Sequence, residues 1–345
     1  MKQSILITGA SGFIGSFLVE EALRQGFDTW AGIRKSSSKK FLGDKRIHFI
    51  ELDFGDTEVL GRQLRTHHNE NGPWDVVIHC AGATKCKKDE DFEKHNYWAT
   101  RNLTVELRRQ GMRPKQFVYI SSLSIFGPIR DKATHPKTDK WIYDPILETD
   151  TPKPNTAYGR SKVKTENYLK SLQDYPYLIF RPTGVYGPRE RDYFLMAKSI
   201  KKHTDFAVGF TKQEITFVYV KDLVQAIFLG IEKGVVQREY FVSDGDVYDS
   251  RTFSDLLQKE LGVHFVLHFR SPLWLLKVIC GVSGWFARMM GKVSTLNPDK
   301  YQIMKQRNWQ CDIEPLKREL GYEPKYNLER GVAEAIKWYK ENKWL

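Results

Sequence analysis

The sequence predicts an α/β protein: a doubly wound parallel sheet followed by a smaller, mainly helical carboxy-terminal domain. Three observations predict it. Short, nearly unbroken apolar runs recur through the first half, helical patterns lie between them, and a glycine triplet sits where the first run meets the first helix. The runs cover residues 4–10, 28–34, 47–53, 74–80, 116–122 and 177–183. They are rich in Ile, Val, Phe and Tyr, as expected of strands covered by helices on both faces. Helical patterns fill 13–25, 89–110 and 157–172. Strands alternating with helices predict a parallel sheet wound in both directions.

After residue 183 the rhythm changes. Helical patterns dominate, with short strands near 215–220 and 239–242. The reading is a first domain over 1–183, with a return segment near 211–243, and a second domain over 184–345. The insert 128–155 is rich in Pro, Thr, Asp and Lys, so it reads as a loop, placed to cover a site.

Hydrophobic residues make up 41% of the 345 residues and charged residues 28%, enough for a large core without disulfides. Cys80, Cys86, Cys280 and Cys311 form no CxxC pair and read as reduced thiols of a cytoplasmic protein. The sequence opens almost at once on a strand, and no signal peptide is expected. The net charge is +12, from 54 Lys and Arg against 42 Asp and Glu. Such an excess suits nucleic acid, an anionic membrane or a phosphorylated ligand. The basic residues are scattered and form no long arm, so no nucleic-acid partner is expected. His67 with His68, and Cys80 with Cys86, lack a third ligand at metal spacing, so no metal is expected.

The glycines are Gly9, Gly12 and Gly15. Gly9 can take the turn that ends the strand. Gly12 lets backbone approach a ligand, and Gly15 lets helix and strand pack closely. The N–H groups opening the helix, around Ser11, Phe13 and Ile14, then face a pyrophosphate, favoured by the helix dipole. The spacing is G-x-x-G-x-x-G rather than the G-x-G-x-x-G of ordinary dinucleotide folds, but its place between strand and amphipathic helix makes it a Rossmann-type signal.

The second strand chooses between cofactors. An acid at its end would bind the ribose hydroxyls of NAD. Here Arg34 and Lys35 stand there, followed by Ser36, Ser37, Ser38, Lys39 and Lys40. Arg34 can fork onto a 2′-phosphate, so NADP(H) is favoured over NAD(H). Asp53 and Phe54 end the third strand, where an adenine edge is met, although Asp53 equally suits a helix cap. Ala81, Gly82 and Ala83 end the fourth, small enough for a cofactor to lie flat.

Tyr158 and Lys162 fall at i and i+4 on one helix face. A free phenol has a pKa near 10. A neighbouring ammonium stabilises the phenolate, so the pair can move a proton while a cofactor moves a hydride. Ser122 ends the fifth strand, at the sheet edge where such folds bind ligands, with Ser124 two residues on. Serines at a strand end also serve turns and caps.

With these residues in view, the chain resembles the extended branch of the short-chain dehydrogenase/reductase superfamily, the NAD-dependent epimerase/dehydratase family. The resemblance rests on Thr8-Gly9-Ala-Ser-Gly12-Phe-Ile-Gly15, Asp53, Ala81-Gly82-Ala83, Asn96, Ser122, Tyr158 with Lys162, the stretch from Arg181-Pro182 to Arg189, and Val220-Lys-Asp222. These span about two-thirds of the chain in the family's order. The resemblance implies an enzyme with Ser122, Tyr158 and Lys162 as catalytic triad, Asn96 in a supporting polar network, and Pro182 to Val185 beside the nicotinamide. It also implies a homodimer. Phe126 departs from the pattern, since many members carry Tyr before this Gly, which disfavours sugar chemistries that use a second tyrosine.

Within such a family the basic end of the second strand points to a reductase. The segment 272–290 adds a second clue. It is as long as a membrane span but carries Lys277 and Arg288. At helical pitch Lys277, Gly281, Gly284 and Arg288 share one narrow seam. It reads as a core helix, as an apolar wall for a long-chain substrate, or as a helix dipping into a membrane surface, giving peripheral membrane contact. Sterol-dehydrogenase-like and bacterial 3-ketosphinganine reductase-like members resemble this combination. The expected function is therefore NADPH-dependent reduction of a ketone on a lipidic substrate. The alternative is a nucleotide-sugar epimerase or dehydratase, in which Arg189 and the positive charge would serve a diphosphate. A catalytically silent cofactor-binding scaffold is the remaining class.

Overall fold

The structure, a computed structural model, describes residues 2–132, 143–290 and 297–345. The expected covering loop at 128–155 therefore lies partly outside the described residues.

In chain order the elements begin β1 (Ser4–Thr8), α1 (Phe13–Arg24), β2 (Asp28–Ile33), β3 (His48–Glu51), α2 (Thr57–Asn71) and β4 (Val76–His79). Next come α3 (Asp89–Phe92), a π-helical stretch Glu93–Trp98, α4 (Ala99–Arg109), β5 (Gln116–Ile120) and a 3₁₀ turn Leu123–Ile125. α5 (Ala157–Ser171), β6 (Tyr177–Pro182), β7 (Gly184–Tyr186), α6 (Asp192–Lys201) and β8 (Thr204–Val208) follow. The rest is β9 (Glu214–Ile215), β10 (Phe217–Tyr219), α7 (Val220–Glu232), β11 (Arg238–Val242), β12 (Tyr248–Asp249), α8 (Thr252–Leu261), β13 (Leu267–Ser271), α9 (Leu273–Met289), α10 (Pro298–Lys305), α11 (Glu314–Leu320) and α12 (Leu328–Glu341).

Seven strands form one sheet in the order β11-β6-β5-β4-β1-β2-β3. The ladders from β6 to β3 are parallel, with Ile5 opposite Thr29 on one side and Val76 on the other. β11 runs the same way beside β6, since Gln237 N–H bonds Tyr177 O at one end and Thr183 N–H bonds Val242 O at the other. The strand order reverses between β1 and β4, which places a ligand crevice at the carboxyl ends of those two strands. The expected parallel doubly wound sheet is thus the observed one.

The chain divides into two compact units, each built from several stretches. One gathers the described residues of Met1–Ser122, Arg160–Arg181 and Val224–Tyr240. The other gathers those of Leu123–Gly159, Pro182–Leu223 and Phe241–Leu345. The expected return segment near 211–243 falls into both. In the first unit Leu60 and Leu64 of α2, Leu103 and Leu107 of α4 and Leu169 of α5 bury against Leu6, Val77 and Phe117 of the sheet. Each such side chain, fully removed from water, contributes roughly 1.5–3 kcal/mol. The second unit has its own core, in which Tyr186, Phe217 and Phe253 pack on Val332, Ile336 and Tyr339 of α12. Three two-stranded pairs, β10 with β7, β12 with β9 and β13 with β8, complete it.

The apolar segment at 272–290 forms α9. It is not a core helix: Leu276, Cys280 and Gly284 are buried, and most of the remaining described side chains are exposed. Gly284 lies against Asn297 and Pro298, so the expected seam through Lys277, Gly281 and Gly284 is split between solvent and packing. The side chain of Arg288 lies outside those described. No described helix is long and apolar enough to cross a membrane.

Candidate active site

The first unit carries the turn between β1 and α1. Gly9 has φ +67°, and a Cβ there would stand 2.7 Å from Ala81 N. A Cβ on Gly15 would stand 2.1 Å from Gly9 O. Only glycine lets this turn close against both the helix and the end of β4. Gly12 N–H bonds Gly9 O at 2.9 Å, and Gly12 then serves as the cap of α1 without a side chain. No acid stands in the first turn of α1, so the positive end of its helix dipole is left to favour an anion. Ser11, Phe13 and Ile14 are half-buried around this opening.

Under the turn, Thr8 Oγ1 meets His79 Nδ1 at 2.8 Å and accepts Ala81 N–H at 3.3 Å. This joins β1 to the chain leaving β4. Burial lowers the pKa of His79 to about 3, so its imidazole stays neutral. Phe54 sets its ring edge-on to His79 at 5.5 Å, and its carbonyl accepts Asn102 Nδ2 at 2.9 Å. Asp53 does not cap α2; Asp56 does, accepting Glu58 and Val59 N–H at 3.0 Å each. Asp53 instead folds back on Gly55 N–H at 2.9 Å and stays exposed at the end of β3.

Arg34 and Lys35 are exposed just past β2. Arg34 N–H bonds Ser37 Oγ at 3.0 Å and Ser37 N–H bonds Arg34 O at 2.8 Å, closing a tight turn. The turn keeps both cationic side chains at the strand end. Lys39 points elsewhere, over the Phe49 ring at 4.1 Å.

Asn96 lies in the π-helical stretch, a distortion often found at functional sites. Its Oδ1 accepts Ala83 N–H at 2.8 Å, and its Nδ2 donates to Ala83 O at 3.1 Å and Ser161 Oγ at 2.8 Å. The loop Ala81, Gly82, Ala83 is thereby tied to α5. A Cβ on Gly82 would stand 2.7 Å from Asn96 Oδ1, so a side chain there would displace the Asn96 amide from its bonds to Ala83. Lys162, one residue after Ser161, donates from Nζ to Ile120 O at 2.7 Å and lies 4.6 Å over the Tyr119 ring. Burial lowers its pKa to about 8, with Cys80 and Glu166 opposing. At neutral pH it remains an ammonium at the carboxyl end of β5. Ser122 is half-buried at that same strand end.

In the second unit Tyr158 is the second residue of α5, half-buried, one turn before Lys162 along the same helix. Thr156 Oγ1 accepts Gly159 N–H at 2.9 Å. Asp299, from the first turn of α10, accepts the N–H of Ala157 at 3.2 Å and of Tyr158 at 3.3 Å. Ser124 sits buried in the 3₁₀ turn, and a Cβ on Gly159 would clash with its carbonyl at 2.6 Å. Pro182 ends β6 and Val185 is held in β7 against Val218. Arg189 is half-buried with φ +74°, in a bend whose flanking carbonyls, Gly187 and Glu190, accept Tyr339 Oη at 3.1 Å each. Phe126 is buried, its ring 5.3 Å from that of Phe241.

Sequence reasoning missed Ser161, Asp299 and the Thr8–His79 pair. Ser161 was visible beside Lys162. Asp299 lies 141 residues from Tyr158, and nothing local announces the contact.

Residues 5–243 match the model of the NAD dependent epimerase/dehydratase family. The chain belongs to this family. It is an NAD(P)-dependent enzyme of the extended short-chain dehydrogenase/reductase type. Among curated relatives, a decarboxylating sterol-4-alpha-carboxylate 3-dehydrogenase of Dictyostelium discoideum is 25% identical over 350 residues, covering 96% of this chain and 99% of that one. A UDP-glucose 4-epimerase of Vibrio cholerae is also 25% identical, over 346 residues, 97% of this chain and 95% of that one. Among solved structures, a UDP-glucose 4-epimerase of Thermotoga maritima superposes with a TM-score of 0.76 at 22% identity, over 99% of this chain and 100% of that one. The last comparison speaks to the fold.

The residues described above fit a nicotinamide dinucleotide. The glycine turn leaves room where a side chain would fill it, the start of α1 carries no acid and suits a pyrophosphate, and the ammonium of Lys162 is held near the strand ends.

Proposed function

We propose that the protein reduces a ketone on a lipidic, 3-ketosphinganine-like substrate, with NADPH preferred over NADH. The observation that carries the cofactor preference is the Arg34–Ser37 turn, which leaves Arg34 and Lys35 exposed at the end of β2, where an NAD enzyme would place an acid. The lipidic substrate is supported by the exposed apolar side chains of α9 and by the sterol substrate in the name of the Dictyostelium relative.

The glycine turn and Arg34 would hold NADPH, which when bound would supply the hydride for the carbonyl carbon. Tyr158 gives its phenolic proton to the carbonyl oxygen as that oxygen gains negative charge. Ser122 orients the same oxygen by a hydrogen bond. Lys162, cationic at neutral pH, would hold the ribose hydroxyls of the cofactor, and its positive charge would favour release of the phenolic proton. Asn96 holds the Ala81–Gly82–Ala83 loop in place for the cofactor. Ser124 and Arg189 belong to the substrate side of this reading. A homodimer belongs to it as well, and Trp98 and Val105, exposed on the helical run ending in α4, are the apolar residues a second copy would cover.

A second reading, nucleotide-sugar epimerisation or dehydration, is favoured by the Vibrio relative. The deciding experiment follows NADPH and NADH oxidation against a panel of 3-keto lipids, ketosteroids and UDP- or dTDP-sugars. Turnover of a keto lipid with NADPH is the expected result. Turnover restricted to sugars, or tightly co-purifying NAD, reverses the ranking.

A further inference from the structure

We propose that α9 and the β8–β13 ribbon form a docking face for an anionic lipid bilayer, independent of which substrate the enzyme takes. α9 buries one stripe, Leu276, Cys280 and Gly284. A helix on a water-facing surface sets polar residues opposite such a stripe. Here the opposite side carries Trp274, 68% exposed, with Leu275, Val278, Ile279, Val282 and Trp285. Lys277 is the one charged residue between Leu273 and Trp285.

The chain enters α9 directly from β13, through Ser271 and Pro272, and β13 lies parallel to β8. In this ribbon Phe269 stands opposite Phe206, the rings stacked at 5.4 Å, and Phe206 is 66% exposed. Leu267 and Phe265 are exposed as well. Phe210, 67% exposed, lies under the Arg270 guanidinium at 5.9 Å. So many exposed apolar side chains, on one helix and on the ribbon that leads into it, exceed the scattered residues of an ordinary protein surface.

Charge selects the occupant. Residues 264–290 contain Arg270, Lys277 and Arg288 and no acid. Residues 198–210 contain Lys198, Lys201 and Lys202 against Asp205 alone, and Asp205 is buried with its carboxylate 3.1 Å from His268. A two-fold contact between copies through this face would set these cations against themselves. An anionic bilayer takes both the apolar side chains and the cations, and tryptophan near each end of the helix suits the headgroup boundary. Since no described helix, α9 with its 17 residues included, is long and apolar enough to span, α9 would lie in the plane of the interface.

The test is co-sedimentation of the full chain with vesicles. One set is phosphatidylcholine alone; the other adds about 30 mol % phosphatidylglycerol, enough to give a strongly negative surface. Binding to the anionic set, weakened by salt, is expected. Lys277→Gln should weaken it about five-fold, the worth of one basic residue near such a surface. Trp274→Ser with Val278→Ser should weaken it on the order of ten-fold or more, and Phe269→Ser should act in the same direction. These positions are exposed, so unchanged melting curves will show that the variants fold. Three results overturn the proposal: no binding to anionic vesicles, equal binding by native chain and variants, or self-association abolished by these variants in a chain that ignores vesicles.

Discussion

Asp299 holds the backbone of Tyr158: one carboxylate oxygen accepts the Tyr158 N–H at 3.3 Å while the other accepts that of Ala157 at 3.2 Å. Together with Thr156 on Gly159, these bonds satisfy three N–H groups at the start of α5. The same carboxylate meets the positive end of the helix dipole. Asp299→Ala should therefore cost about 1–2 kcal/mol of stability, the range of a lost helix cap. Because the contact sits on the backbone of Tyr158, kcat should fall while KM for the cofactor holds, and Asp299→Asn, which keeps one of the two acceptors and loses the charge, should restore only part of both. Denaturant melts and steady-state kinetics on the three proteins separate the two effects.

The turn after β2 gives a prediction about affinity. Arg34→Ala should weaken NADPH binding by roughly 1.5–3 kcal/mol, the scale of a hydrogen bond to a charged group, and leave NADH nearly unchanged. Titration calorimetry with both nucleotides checks it. Equal affinity of the native chain for NADH and NADPH would sink the assignment.

Proton transfer is tested at Tyr158. Tyr158→Phe should lower turnover roughly 10²–10⁴-fold, as expected for removal of a general acid, and leave cofactor binding in place. Retained turnover would refute its role.

The closeness of β1 to α1 can be probed by a single methyl group. A Cβ on Gly15 would lie 2.1 Å from Gly9 O, a backbone atom with nowhere to go. Gly15→Ala should cost about 1–3 kcal/mol, as overpacking does. It should also raise the cofactor Kd, because the displaced turn is the one expected to face the pyrophosphate. Urea unfolding and nucleotide titration read both.

Acid should destabilise the fold through His79. Burial lowers its pKa to about 3, whereas an unfolded histidine titrates near 6.5. Between those values the unfolded chain binds a proton that the folded chain refuses. Stability from this group is thus complete above pH 6.5 and falls as pH drops towards 3, by about 1.4 kcal/mol per pH unit at the steepest. A pH series of urea midpoints should show this slope in the native chain and a shallower one in His79→Gln.

Much of this was legible in the sequence. The strand runs at 4–10, 28–34, 74–80, 116–122 and 177–183 each contain the strand observed, because buried parallel strands write themselves as unbroken apolar stretches. The glycine turn was legible because steric exclusion leaves one residue type for such positions. Other features were not. Asp53 and Asp56 both suit a cap, and only the backbone shows that Asp56 takes it. The helical pattern at 89–110 gave no sign of its π-helical stretch, which needs one extra residue per turn rather than a different composition. The burial of Gly284 was hidden as well, since a helical wheel shows which residues share a face and not which face meets a neighbour.

The line between the two units falls between Gly159 and Arg160, inside α5, so Tyr158 is counted with one unit and Lys162 with the other. Neither unit is a cassette. A chimera that took its second unit from a relative would import the tyrosine and leave the lysine behind, joined through a single turn of helix. An exchange that keeps Tyr158 and Lys162 from one parent has to take α5 whole.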